Sequence, residues 1–331
     1  MAAIETAALT KKFNGFVAVD GINLKIKKGE LFALLGPNGA GKTTTISMLS
    51  TLLKPTSGKA LVNGHDVVKE AAKVRQSIGI VFQDPSLDDQ LTAMENLDIH
   101  GRLYHMAGNE RRKRIREVLE MVDLTDRANS IVKTFSGGMR RRLEIARGLM
   151  HSPEVLFLDE PTLGLDPQTR RHIWDYIKKL NREGVTVLLT THYMEEADAL
   201  ADRVVIIDRG RIVAEGTPSS LKDSIGGDVI KISCSKPEEL KKAMEKCECD
   251  ITSEPRITEE GLVINVKKAE EVIPKIFDIS AKNSIEVKSI TYKEPSLEDV
   301  FLHYTGRAYR EEEGSEKDRL KMRMRAMRGR R

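Results

Sequence analysis

Residues 31–44, LFALLGPNGAGKTT, place five apolar positions before a turn containing three glycines, then Lys42, Thr43 and Thr44 at the start of a helical pattern. This is a buried strand, a tight loop and a helix N-terminus in immediate succession. Gly36, Pro37, Asn38, Gly39, Ala40, Gly41, Lys42 and Thr43 satisfy the spacing G-x-x-x-x-G-K-[ST] in that context. The glycines let backbone N–H groups turn inward around an anion, and the helix start adds the positive end of its dipole. Lys42 supplies a point charge for terminal phosphates and the Thr43 hydroxyl can ligate Mg²⁺. The segment therefore demands an α/β fold and a bound nucleotide, and by itself says no more.

The rest of the chain has to supply what happens to that nucleotide. At 331 residues it exceeds what one core usually organises, so at least two domains are expected. Its longest apolar stretches, such as VTVLLTTHYM, fall well short of the roughly 20 residues that a membrane-spanning helix needs. The first residues show no basic region followed by an apolar core, which argues against a secretory signal. Cys234, Cys247 and Cys249 are an odd number crowded into the last third, which fits a reducing compartment better than a disulfide framework. Cys247 and Cys249 have no second Cys or His pair nearby to complete a metal site.

Up to about Pro218 short apolar runs alternate with helical patterns, the sign of a sheet with crossover helices. LFALLG (31–36), VLFLD (155–159), VTVLLTT (185–191) and RVVIID (203–208) are unbroken rather than alternating, as in strands buried on both faces. Residues from about 88 to 150 are mostly charged helical pattern, which predicts a helical subdomain inserted into a first domain spanning 1–224. Gly226 and Gly227 mark a boundary. From 225 to 307 the order strand, helix, strand, helix, strand, with a further strand near 250–256, predicts a small α+β unit of ferredoxin-like type. Residues 308–331 form a basic tail low in bulky apolar side chains, expected to be disordered in isolation.

A second acidic feature narrows the chemistry. VLFLDE puts Asp159 and Glu160 at the C-terminal end of a buried strand, the edge where parallel sheets bind ligands. There Asp159 can hold Mg²⁺ through water and Glu160 can orient and deprotonate an attacking water, the parts that phosphoryl transfer needs. His192 follows another buried strand at the same expected edge. A lone histidine is more often structural, but at that place it can donate to a γ-phosphate. No Asn-Lys-x-Asp base-reading motif of GTPases is present.

FSGGM (135–139) sets a hydroxyl and two glycines before the basic amphipathic pattern MRRRLEIARGLM. On its own this reads as an N-capped helix, as a nucleic-acid helix, or as a second anion site. Taken in order, the glycine loop, Gln83 in IVFQDPS, FSGGM, VLFLDEP (155–161), GLD (164–166) and His192 resemble the ATP-binding subunit of an ATP-binding-cassette (ABC) transporter over about residues 4–220. The resemblance implies a P-loop ATPase in which Ser136, Gly137 and Gly138 close over the γ-phosphate held by a second copy. It further implies that Phe13 stacks on adenine, that Gln83 touches Mg²⁺ and reports to a membrane partner, and that Asp166 links the two sites at the subunit interface. Phe13 stands where Tyr is commoner, Met139 where Gln is commoner, and Leu163 where a small or hydroxyl residue is usual.

Within the family, residues 135–170 are similar to the daunorubicin-resistance type of drug exporter, as is PSLEDVFLHYTGR (295–307) at the end of the accessory domain. The expectation is an ATPase on the cytoplasmic face of the membrane that powers export of a drug-like or other hydrophobic substrate through a separate permease, with ATP and Mg²⁺ bound and no nucleic acid. The alternative is a soluble cassette ATPase acting on ribosomes or nucleic acid, against which stand a single P-loop and the absence of sustained heptads. Leu320, Met324 and Met327 would share a helical face among basic residues, consistent with contact to anionic lipid or with a solvated charge run.

Overall fold

The computed structural model describes residues 2–84, 86–245, 250–252, 255–258 and 261–305. In chain order the first lobe contains β1 (Ala2–Phe13), β2 (Phe16–Ile22), β3 (Lys25–Lys27), β4 (Leu31–Leu35), α1 (Lys42–Leu49), β5 (Ser57–Val62), β6 (His65–Asp66), α2 (Ala71–Ser77) and β7 (Ile78–Val81). Three helices follow, α3 (Ala93–Leu103), α4 (Gly108–Met121) and α5 (Gly137–Gly148). The chain then returns through β8 (Val155–Asp159), α6 (Pro167–Arg182), β9 (Thr186–Thr191), α7 (Met194–Leu200), β10 (Arg203–Asp208), β11 (Arg211–Gly216) and α8 (Pro218–Asp223). The last unit holds β12 (Asp228–Cys234), α9 (Pro237–Glu245), β13 (Arg256–Thr258), β14 (Gly261–Val266), α10 (Ala269–Lys282), β15 (Val287–Lys293) and α11 (Leu297–Thr305).

The central sheet runs β11-β10-β4-β9-β8-β7, parallel except for the β10–β11 hairpin. Its four unbroken apolar runs are divided residue by residue between two cores. Leu31, Ala33 and Leu35 face the helices, while Phe32 and Leu34 face a second, mainly antiparallel sheet, and β8, β9 and β10 divide the same way. That second sheet, β2-β1-β5-β6 with β3 on β1, was not expected from sequence. Its long strand β1 is broken by a bulge between Ala7 and Thr10, where Ala8 has a φ of +47°, so its side chains do not keep a clean alternation. Gly58 on the paired strand lets the chains approach, since a Cβ there would lie 2.2 Å from the Ala8 carbonyl.

The inserted helices lie where the charged pattern put them. α3 opens with a capping box: Thr92 Oγ1 accepts from Glu95 N at 3.2 Å and Glu95 Oε2 accepts from Thr92 N at 2.8 Å. The last unit has strand order β13-β14-β12-β15, all antiparallel, with α9 and α10 covering one face, which is the ferredoxin-like arrangement. Its own core is Ile230, Ile232, Leu262, Ile264, Val272, Ile276 and their neighbours. α11 departs from it: Leu297, Val300 and Phe301 join the helix-side core of the first lobe, beside α7 and α8. Cys234 is a free thiol, whereas Cys247, Cys249, the tail 308–331 and the lipid contact considered for it lie outside the described residues.

At the far end of the helical insert, Tyr104 stacks on His151 at 3.8 Å and His100 lies 5.0 Å from Tyr104. Burial, reinforced by the charge of Arg147 and by His151, pushes His100 from 6.5 down to about 4. The folded state keeps the imidazole neutral while the unfolded chain takes up a proton below 6.5, so stability is full above that value and falls until about pH 4. Urea unfolding at pH 7 and pH 5 is expected to show a loss of about 2 kcal/mol from this group. In His100→Gln that part of the slope should vanish; an unchanged slope would assign it elsewhere.

Candidate active site

The C-terminal ends of β4, β8 and β9 converge on one edge of the parallel sheet. β4 is followed by Gly36, whose N–H donates to the Thr191 carbonyl at the end of β9 (3.3 Å). No larger residue fits at Gly36, because a Cβ would sit 2.3 Å from the Ile207 carbonyl. Gly41, at φ +108°, faces the Ala18 carbonyl with the same consequence. Asn38, Gly39 and Thr43 are exposed, Pro37 and Thr44 partly so, and Ala40 is buried. The helix α1 starts at Lys42 with neither a side-chain cap nor an acid in its first turn. Among the described residues no carboxylate or hydroxyl caps its first N–H groups, the arrangement that receives an anion.

Lys42 and Glu160 form a buried ion pair (Nζ to Oε1, 3.3 Å), their side chains 4% and 7% exposed. Lys42 Nζ also donates to the carbonyls of Gly36 (2.8 Å) and Pro37 (3.2 Å). Burial lowers its pKa, with Glu160 pulling the other way. Asp159 Oδ1 accepts hydrogen bonds from Thr43 Oγ1 (3.2 Å) and from the Thr190 hydroxyl. Burial raises the Asp159 carboxyl despite those two hydroxyls. For Glu160 burial pushes up, but His192 and Lys42 together outweigh it and hold the carboxyl below its ordinary value. His192 Nδ1 lies 3.2 Å from Glu160 Oε1 without making an aligned hydrogen bond.

Glu160 carries an unusual backbone. Its φ of +48° is in the left-handed region, which costs a non-glycine residue of order 1 kcal/mol or more and is common at functional sites. Its N–H is fixed by the Thr190 carbonyl at 3.1 Å and lies 3.2 Å from Thr190 Oγ1.

These contacts unite five of the residues singled out in the sequence, Lys42, Thr43, Asp159, Glu160 and His192, in one cluster. The others are placed differently. Phe13 stands at the tip of the β1–β2 hairpin, 41% exposed, with Lys11 Nζ 5.0 Å from its ring centre. Gln83 is exposed just beyond β7. Ser136 is exposed and caps α5, its Oγ accepting from Met139 N at 3.3 Å. Asp166 is exposed and caps α6, accepting from Gln168 N, Thr169 N and the Thr169 hydroxyl, which lowers its pKa. A Cβ on Gly138 would lie 2.3 Å from Thr169 Cγ2, and one on Gly137 3.5 Å from Leu165. The Ser136 turn and the Asp166 turn are therefore neighbours.

The family description "ABC transporter" matches residues 19–163, and "ATP-binding protein DrrA1-3-like, C-terminal domain" matches residues 216–305. The daunorubicin/doxorubicin resistance ATP-binding protein DrrA of Streptomyces peucetius is 42% identical over 306 residues, covering 92% of each chain. The linearmycin resistance ATP-binding protein LnrL of Bacillus subtilis is 43% identical over 311 residues, covering 93% of this chain and all of the relative. This chain is an ATP-binding subunit of the ABC transporter family. Among solved structures, CbiO1 of Clostridium perfringens is similar with a TM-score of 0.63 and 32% identity over 66% of this chain and 90% of its own. The ATP-binding cassette MJ0796, a dimer in a post-hydrolysis state bound to ADP and Pi, gives 0.59 and 34% over 65% and 98%. As members of this family do, the cassette subunit binds and hydrolyses ATP.

Three contributors to the cassette's site were missed in the sequence: Thr190, and the buried pair Arg141 and Glu144 on α5. No local motif marks Thr190; it becomes visible only once β8 and β9 are known to be neighbours. Arg141 and Glu144 sit in plain view inside MRRRLEIAR but read as one more charged stretch.

The Glu160 carboxylate is expected to be dispensable for nucleotide binding and essential for turnover. Glu160→Gln should lower kcat by about 10²–10³-fold. A phosphate-release assay beside a nucleotide-binding titration checks this, and near-normal turnover in the folded variant would refute it.

Proposed function

We propose that this chain is the motor of an exporter: two copies close around two ATP molecules, and the closure drives a separate membrane permease that expels a drug-like or other hydrophobic substrate. The observation carrying this reading is that the chain has two glycine turns at helix starts, on different parts of its surface, each of a kind that can receive an anion. The P-loop lies beside Glu160. The turn at Ser136–Gly138, exposed at Ser136 and Gly137, lies beside Asp166 and makes no hydrogen bond to residues 36–44 among the described residues. A second copy brought face to face supplies each P-loop with the turn it lacks.

The contacts within each site support the following roles. Lys42 exchanges its inward partners for phosphate oxygens, which frees Glu160 to orient and accept a proton from the attacking water. His192, 3.2 Å from that carboxylate, would donate to the γ-phosphate. Thr43 and Asp159, hard oxygen donors that share a hydrogen bond, suit Mg²⁺, which when bound neutralises charge on the phosphates. Phe13 offers its exposed ring to adenine. Asn38 and Gly39 are exposed on the glycine loop, and Gln83 is exposed just beyond β7.

The permease is supported by surface chemistry. Ile99 and Leu103, one turn apart on α3, are exposed apolar side chains on the helical insert that follows Gln83, a face suited to an apolar partner. Among the described residues no helix is long and apolar enough to cross a membrane. The names of the relatives, which speak of resistance to daunorubicin, doxorubicin and linearmycin, favour export over work on ribosomes or nucleic acid. The cytoplasmic membrane face is the location this role requires.

Composite sites make a testable demand. Lys42→Ala and Ser136→Arg should each abolish turnover alone, yet mixing the two purified variants should restore about a quarter of wild-type activity, because half the dimers then contain one intact site. Failure of the mixture while each variant stays folded would mean that the site is completed within one chain.

A further inference from the structure

We propose that Arg141, anchored by Glu144, is a positioning residue for hydrolysis: its guanidinium ties the backbone carrying Asp159 and Glu160 to the segment carrying Gln83, so that both follow α5. The inference rests on Glu160 acting in hydrolysis and adds a residue that no part of that reading uses.

The two side chains are 9% and 4% exposed, within the first turns of α5 after the Ser136 turn. Arg141 Nε donates to the Pro161 carbonyl (2.7 Å), and Nη2 to the carbonyls of Asp159 (3.0 Å) and Glu160 (3.2 Å). Nη1 donates to the Phe82 carbonyl (2.6 Å) and to Glu144 Oε2 (2.9 Å). The other Glu144 oxygen, Oε1, accepts from Ser86 N at 2.9 Å. One turn further along, Arg147 Nη1 donates to the Ser86 carbonyl at 2.7 Å. Gln83 is thus bracketed by Phe82 and Ser86, both held from α5.

Only arginine offers donors in several directions from one rigid plane, and a lysine could not serve these carbonyls together. A buried ion pair is a poor way to gain stability, because desolvation offsets most of the attraction. Here the guanidinium answers carbonyls that curl in at the end of β8. Glu160, with its left-handed φ, is gripped on both sides: its N–H by Thr190 and its C=O by Arg141. Any rotation of the helical insert that moves the Ser136 turn must pull on the same carbonyl.

The test uses the full chain and compares Arg141→Lys, which keeps the charge but not the fork, with Glu144→Gln, which keeps the shape. Arg141→Lys should lower kcat about 10-fold or more while ATP affinity, titrated separately, stays within about threefold. Glu144→Gln should show a smaller fall in kcat, about threefold, again at unchanged affinity. Wild-type kcat in a folded Arg141→Lys, or kcat and ATP affinity falling together in both variants, would overturn the proposal. If Arg141→Lys does not fold, Glu144→Gln decides, with wild-type kcat overturning it. Wild-type turnover in the same assay tests the ATPase reading independently.

Discussion

Each long strand of the parallel sheet is apolar on both faces, and that two-sided burial decides where the polar chemistry can go. Side chains such as Phe32, Phe157 and Leu188 face the antiparallel sheet while Leu35, Leu158 and Leu189 face the helices, so no charged group can sit along the strands. Polar residues are confined to the strand ends. Because β4, β8 and β9 run parallel, their C-terminal ends lie on one edge. The glycine loop, Asp159, Glu160, Thr190 and His192 meet there for that reason, and the Lys42–Glu160 pair closes the edge.

The same logic explains what could be read in advance. The four unbroken apolar runs, the glycine loop and the carboxylates after VLFL are local signals whose geometry follows from short-range rules, and the structure assembles them as expected. The ferredoxin-like unit was legible from element order alone. The antiparallel sheet was not, because the β1 bulge at Ala8 and the pairing of β1 with β5, some 50 positions apart, leave no local periodicity to find. The return of α11 to the first core was hidden too: Leu297, Val300 and Phe301 show which face is apolar but not which core it joins. Within the site, Thr190 and Arg141 act through partners supplied by other strands, so their parts appear only in three dimensions.

α5 connects the two surfaces of the cassette. Its first turn presents Ser136 and Gly137 outward, beside Leu165 and the Asp166 cap, while its second turn reaches inward to the carbonyls behind Asp159 and Glu160. A structure built this way has a ready route by which the seating of one turn on a neighbouring copy would be felt at Glu160. It also explains why a helix so rich in arginine need not bind nucleic acid, since Arg140, Arg141, Arg142 and Arg147 are all engaged within the chain.

The central claim is that one chain holds only part of each hydrolytic site. The most direct measurement is the mass of the ATP-bound species, by light scattering on Glu160→Gln with saturating ATP and Mg²⁺, alongside a count of bound nucleotide. The account expects a dimer carrying two ATP molecules that falls back to monomer when the nucleotide is removed. A monomer that holds one ATP at saturation, and hydrolyses it at the full rate in the wild-type chain, would contradict it.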